Sequence, residues 1–318
     1  QMCIRDRVGT YYMNPILDPG KSCGSSGGWE PGGICGYYDY EQIHDDLAMH
    51  AAMVYDFAFD YLSRHPHAHL KEIGKDTKSV AVEVFKRFIN IGLVRGGKSG
   101  NWNVNGWNMM LRPVLVLDSD EAYPDGKGKE YYLNLLVNES TPYHDAIPDM
   151  LKTYDPVTGL WPESPGYSFG TIQMLLDWAA PLKRAGIDII AGNPILQKAA
   201  MAVFPWMDDA ANMVVFGDSR GGSANFQTFE NLLAYYAGIT DKAGMEKVAS
   251  ALNKGISQKK YTRNNAGWTG LCTYTVAIPS VCTENNERAS YSPHHRFITM
   301  KNWEGDYKMM FTLYGLSL

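Results

Sequence analysis

Residues 100–112 read Gly100-Asn101-Trp102-Asn103-Val104-Asn105-Gly106-Trp107-Asn108-Met109-Met110-Leu111-Arg112. At helical spacing Val104, Trp107, Leu111 and Val114 form one stripe, and Asn101, Asn105, Asn108 and Arg112 form the adjoining one. Two stripes of that period predict a helix with one face in a core. Asparagine is a poor helix former, and a surface helix more usually carries Glu, Lys or Gln. Amides backed by one guanidinium instead suit hydrogen bonding to hydroxyls or a carboxylate. The plain alternative is a cap at Asn101 with a solvated face beyond it; for the four together a cleft is the better account.

Working outward, the same period recurs. Ile43, Leu47, His50, Val54, Phe57 and Tyr61 predict a first helix, and Val80, Val84 and Phe88 a second that follows Asp76 and ends near Leu93. Further helices are expected over Glu130–Val137, Phe169–Ala185, Pro194–Met207, Thr228–Ala237 and Asp241–Leu252. Strand-like patterns come late, at Thr273–Ile278, Arg296–Lys301 and Tyr307–Tyr314. Many helices followed by strands indicate a mainly α chain with a separate β region, not βαβ units. Long Gly-, Asn- and Pro-rich connections between the helices suit an incomplete α/α toroid, in which loops at one end line a cleft. The helical domain is assigned to residues 8–285 and the β region to 286–315.

Composition narrows the partners. Hydrophobic residues make up 45% and charged residues 20%, which is ordinary for a folded chain. A net charge of −5 gives no electrostatic footprint for nucleic acid, so an acidic substrate has to be held by local basic groups. No apolar run approaches the length that spans a bilayer. GxSxG, HExxH and GxGxxG are absent, which argues against α/β-hydrolase, zincin and Rossmann chemistry, and nothing calls for a cofactor.

Met2-Cys3-Ile4-Arg5-Asp6-Arg7 looks like a translated sequencing adapter, and Leu316-Ser317-Leu318 like the same adapter on the opposite strand. Residues 1–7 and 316–318 are therefore expected to be foreign to the protein. Cys23, Cys35, Cys272 and Cys282 remain, in two local pairs that favour disulfides and a periplasmic or secreted location. His65, His67 and His69 alternate around Pro66 in a polar stretch that reads as a solvated loop, not a metal site.

Two further segments carry chemistry-bearing residues. Thr158-Gly159-Leu160-Trp161-Pro162-Glu163-Ser164-Pro165-Gly166-Tyr167 is stiffened by Gly and Pro and precedes a strongly apolar helix. Trp161, Glu163 and Tyr167 there suit a site loop; equally, Tyr167 can staple the helix it precedes and Glu163 can cap it. Gly217-Asp218-Ser219-Arg220-Gly221-Gly222 is a tight turn without the Lys-Ser/Thr ending of a phosphate loop. Asp218 and Arg220 pair there, or Arg220 binds a carboxylate.

Asn101-Trp102 opening one helix, Trp161-Pro162-Glu163-Ser164-Pro165-Gly166-Tyr167 opening another, and Gly217-Asp218-Ser219 together resemble the heparinase II/III-like polysaccharide lyases. The resemblance covers most of residues 40–315. It implies an α/α toroid followed by an antiparallel β-sandwich whose first strands are Arg296–Lys301 and the segment to Gly315. It also implies β-elimination on a uronic-acid polysaccharide, of alginate or heparan type. Tyr167 matches the catalytic tyrosine and Asn101 the catalytic amide. Trp102, Asn105, Asn108, Arg112, Trp161, Glu163 and Arg220 are the expected substrate contacts, converging with the first two on one groove. Many relatives carry a histidine beside the asparagine, where this chain has Gly100 and Trp102. A further family histidine belongs to the sandwich past residue 315, so the piece in hand is expected to be an incomplete catalyst. The alternatives are a hyaluronate/chondroitin-type lyase and a glycan-binding toroid without turnover. A hydrolase needs two opposed carboxylates, and only Glu163 offers one.

If Cys23–Cys35 and Cys272–Cys282 are bridged, alkylation under denaturing conditions labels these four only after reduction. Mass spectrometry that finds them alkylated without reductant removes the bridges and the argument for an oxidising compartment.

Overall fold

The computed structural model describes residues 47–95, 98–208, 212–215, 224–236, 242–263, 277–281, 289–293, 296–302 and 309–314. The chain is mainly helical, with a small antiparallel sheet near its end. In order come α1 (Leu47–Arg64), α2 (Ala68–Glu72), α3 (Thr77–Arg95), α4 (Gly100–Leu115), α5 (Lys129–Val137) and α6 (Ile147–Met150). Then follow α7 (Pro165–Arg184), α8 (Pro194–Met201), α9 (Phe226–Tyr236) and α10 (Lys242–Ser257), with strands β1 (Ala289–Ser292), β2 (Phe297–Asn302) and β3 (Met309–Tyr314). Two compact units divide between Met150 and Leu151. No helix among the described residues is long and apolar enough to cross a membrane.

In the first unit α4 is the hub, packing against α1, α3, α5 and α6. Its apolar stripe of Val104, Trp107, Leu111 and Val114 is buried, as its spacing predicts. Four asparagines and two glycines make this a weak helix in isolation, so packing of that stripe holds it. α1 departs from expectation. Its periodic stripe points outward, with Phe57 76% exposed, while Ala48, Ala52 and Tyr55 face the core. His50, Asp56 and Asp60 share the exposed side of α1 with Phe57, and the small alanines allow the closer approach to α3 and α4, so they take the inner face. His67 caps α2 by accepting from the backbone N–H of His69, where the sequence reads as loop.

In the second unit α7 packs on α8 and α9, and α9 on α10. Phe229 of α9 gathers the rings of Phe169, Phe204 and Phe226, all within 5.9 Å. Gln227, Glu230 and Asn231 form a buried polar stripe beside it. Glu230 accepts from Arg263 Nε at 2.6 Å and Nη2 at 2.5 Å, and from the Tyr261 hydroxyl. Gln227 Nε2 donates to Asn231 Oδ1 at 3.0 Å, and Asn231 Nδ2 to Asp177 Oδ1 at 2.6 Å. Burial and the adjacent Glu230 push the Tyr261 phenol well above its ordinary range.

α7 starts four residues before the expected Phe169, because Pro165 supplies a preset φ at the first helical position. The helix expected to reach Met207 stops at Met201; Pro205 lacks the N–H that continuation needs, and Phe204–Trp206 forms a 3₁₀ turn instead. The strand expected over Thr273–Ile278 falls largely outside the described residues, and 277–281 are not strand. β1 was not expected. It pairs antiparallel with β2, and β2 with β3, in the order β1-β2-β3. On this sheet Ser292, Thr299 and Lys301 are buried, while Tyr291, Met300 and Phe311 are exposed. Ser292 donates to the Asp155 carboxylate, and Lys301 Nζ to the Phe204 carbonyl at 2.6 Å.

Removing one partner of a buried ion pair strands the other charge. Arg263→Ala is expected to cost about 3–5 kcal/mol of unfolding free energy, with Arg263→Lys losing less. Chemical denaturation of the two variants checks the order; equal stabilities of Arg263→Ala and the parent would show that Glu230 does not need its partner.

Candidate functional site

The candidate residues divide between the two units. On α4, Asn101, Asn105, Asn108 and Arg112 are all half-buried on one face, so the predicted stripe exists. Trp102, one residue on, is 37% exposed. The helix opens on Ser99 at φ 117° and Gly100 at φ 66°, and Ser99 makes no side-chain cap bond. A serine in that region of φ is strained, which structures tolerate where something else holds the chain.

What holds it is Asn103, which lies outside both sequence stripes. Asn103 is fully buried. Its Nδ2 donates to the Asp145 carbonyl at 2.9 Å, and its Oδ1 accepts from the Asp145 N–H at 3.0 Å. Trp107 Nε1, one turn on, donates to the same carbonyl at 3.2 Å. The ring of His144 lies between α3 and α4, with Nδ1 3.0 Å from Asn103 Oδ1 and Nε2 2.6 Å from the Gly92 carbonyl. Both ring nitrogens therefore face acceptors, and a neutral imidazole donates to only one of them. Gly106 leaves room for this ring: a Cβ there would lie 3.1 Å from His144 Cε1. Burial lowers the His144 pKa below its ordinary value, opposed by the Gly92 carbonyl and the Asp145 carboxylate.

In the second unit the segment before α7 is bound from both sides. Asp155 Oδ1 accepts from Val157 N at 2.8 Å, and Oδ2 from Thr158 Oγ1 at 2.8 Å and from Ser292. Burial raises the Asp155 pKa, but these donors outweigh it and keep the carboxyl below its usual range. Gly159 takes φ 75°, and a Cβ on it would fall 2.7 Å from the Lys198 backbone. Ser168 Oγ reaches back to the carbonyls of Trp161 at 3.2 Å and Glu163 at 2.9 Å. Ser164 and Pro165 then start α7, so Tyr167 sits in its first turn, 44% exposed.

Trp161 goes the other way. It is 2% exposed and packs edge-on to Tyr154 with ring centroids 4.8 Å apart. This corrects the expectation of a ring face offered to a sugar: the indole serves as an anchor. A cavity of about 10 Å³ beside it, lined by Tyr154, Leu160, Trp161, Ser168 and Trp206 among others, admits one water and no sugar. Glu163 is half-buried.

Arg220 and the rest of residues 217–222, the cysteines Cys23, Cys35, Cys272 and Cys282, and His294 and His295 lie outside the described residues. Among the described residues, no group of three His, Cys, Asp or Glu side chains could hold a metal ion. His65 Nδ1 faces the Tyr61 carbonyl at 3.0 Å, and His69 pairs with Glu72 at 3.2 Å. Family models, curated proteins and solved structures compared with the chain give no match.

The His144 shift sets a pH dependence. Its folded pKa is below the unfolded ~6.5, so between the two the unfolded state binds more protons. Stability is therefore expected to fall as pH drops through ~6.5 towards the folded value. Urea midpoints at successive pH values should show this, and His144→Gln should flatten that part of the curve whatever its overall stability. An unchanged slope in the variant would assign the titration to another group.

Proposed function

We propose that the chain is the substrate-gripping, helical part of a polysaccharide lyase that cleaves a uronic-acid polysaccharide by β-elimination. Its helices then belong to an α/α toroid, and its sheet to the start of a β-sandwich. The observation that carries the reading is the exposed tyrosine in the first turn of α7, held by a bonded, buried loop segment. Support also comes from α4, whose half-buried amide face ends on Arg112. The sheet adds to this: an apolar face turned outward suits a sheet that a second one covers.

The chemistry assigns each group a role. The proton removed is α to the uronate carboxylate, at C5, and negative charge builds on that carboxylate as it leaves. An amide donor at Asn101 stabilises this charge, with Arg112 holding the polymer. Tyr167 takes the proton and then protonates the departing oxygen at C4, which requires the tyrosine to approach both atoms from one side of the ring. Trp102 supplies an aromatic face to a sugar, and Asn105, Asn108 and Glu163 supply polar contacts to hydroxyls. The bonds at C4–O and C5–H break, and a C4–C5 double bond forms; no water is consumed.

Tests belong in the full-length protein. Tyr167→Phe removes one hydroxyl and should lower kcat by about 10²–10⁴-fold. Asn101→Ala should lower kcat by roughly 10²–10³-fold with less effect on KM, as loss of one oxyanion donor does. Arg112→Ala should raise KM and leave kcat nearly intact. The readout is ultraviolet absorbance of the new double bond on alginate, heparan and chondroitin polymers. Near-normal turnover by Tyr167→Phe on a polymer that the parent cleaves would make Tyr167 a structural residue.

A further inference from the structure

The small cavity beside Trp161 is lined by polar groups that the fold leaves without partners. Trp161 and Tyr154 both line it, each only 2% exposed, with their rings edge-on and 4.8 Å apart. The indole Nε1 of Trp161 and the hydroxyl of Tyr154 are out of solvent, and neither has a hydrogen-bond partner in the protein. Burial pushes the Tyr154 phenol far above its ordinary range, so it keeps its proton and stays a donor. Buried donors are nearly always bonded, to protein or to an ordered water, because an unpaired one costs its whole desolvation.

The walls supply an acceptor as well. Ser168, in the first turn of α7, lines the same cavity, and its Oγ directs its one hydrogen to the carbonyls of Trp161 at 3.2 Å and Glu163 at 2.9 Å. A hydroxyl has two lone pairs besides, so Ser168 can accept where the Trp161 indole can only donate. Other walls are apolar, Phe169 and Val203 among them. A cavity with apolar walls alone stays dry, whereas a bound water needs about two to four polar partners and roughly 10–15 Å³. Tyr154, Trp161 and Ser168 supply such partners here, around a volume of about 10 Å³. A sugar, a phosphate or an organic cofactor is far too large for it.

We propose that this cavity is the binding site of one internal water molecule, held by Tyr154, Trp161 and Ser168. The indole N–H and the phenol O–H donate to the water oxygen, and the water donates one hydrogen to Ser168 Oγ. The water then belongs to the second unit as a side chain does. Its walls come from the segment before α7, from α7 itself, and from Ala199 of α8 and Trp206 of the turn after it. One molecule with directed bonds therefore fixes the orientation of the Trp161 indole among them. The rival is loose packing, in which the hydroxyl and the indole N–H stay unpaired. The proposal does not depend on the lyase reading.

The test is the sign of one hydroxyl's effect, read by chemical denaturation of the chain as it stands. Tyr154→Phe removes the hydroxyl and keeps the ring, so the packing survives. With a water bound there, the variant loses a made hydrogen bond, and its unfolding constant should rise about 2–10-fold. With no water, the hydroxyl is a buried polar group bonded to nothing, and its removal should lower the unfolding constant. A crystal of the parent reads the same site directly. Density for one water should stand roughly 2.7–3.2 Å from both Trp161 Nε1 and the Tyr154 hydroxyl oxygen. A crystal without density between those atoms, or a Tyr154→Phe chain at least as stable as the parent, overturns the site.

Discussion

The first unit depends on one buried side-chain amide. Asn103 has no solvent, so each of its polar atoms must find a partner in the protein or cost the desolvation of that group. It does so by taking both the N–H and the carbonyl of Asp145, a geometry that also fixes which end of the amide faces His144. Through that ring the constraint passes to Gly92 on α3. Three segments distant in sequence are thereby held at one point, and the N-terminal turn of α4 gets its position from there. A cap at Ser99 would fix only the backbone; Asn103 fixes the helix against its neighbours.

The second unit uses the same device on a larger scale. The polar stripe of α9 buries a carboxylate, two amides and their partners beside the Phe229 ring cluster. Apolar packing alone tolerates sliding of α9 along α7; a run of directed bonds from Asp177 through Asn231 and Gln227 does not, because each donor has one acceptor. The sheet repeats the pattern in reverse of the usual sense. Antiparallel sheets commonly turn apolar side chains to the core, yet here Ser292, Thr299 and Lys301 face inward, and Ser292 and Lys301 bond to Asp155 and the Phe204 carbonyl. Polar side chains on the inner face attach the sheet at defined points, while Tyr291, Met300 and Phe311 stand on the outer one.

These devices explain what the sequence made legible. Hydrophobic period located the helices because burial of α4, α7 and α9 is what creates them. It failed on the face of α1, where Ala48 and Ala52, which a stripe of large residues passes over, face the core together with Tyr55. It failed on β1, since Ala289-Ser290-Tyr291-Ser292 has no β-branched residue and is a strand only by pairing with β2. On the site, the amide stripe was visible because it repeats at helical spacing. Asn103 was hidden in the same run, two residues from Asn101 and so on another side of the helix. His144 belongs to a turn whose shape comes from Thr141 and from contacts 41 and 52 residues away, and no local pattern encodes those.

The segment before α7 shows why residue type alone is a poor guide to a site. Trp161 and Tyr167 stand six residues apart, both aromatic, both flanked by proline or glycine. Asp155 closes the turn that precedes Trp161, and Gly159 lets that turn lie against the backbone of Lys198, so the indole is carried inward onto Tyr154. Ser168 then bonds back to the carbonyls of Trp161 and Glu163, which ties the first turn of α7 to the buried indole. The tyrosine one residue earlier is left outside. Burial of one ring is therefore what makes the placement of the other definite, with Tyr167 exposed on a backbone tied down by Ser168 beside it. Enlarging the indole's role to substrate contact would remove the anchor that the exposed residue depends on.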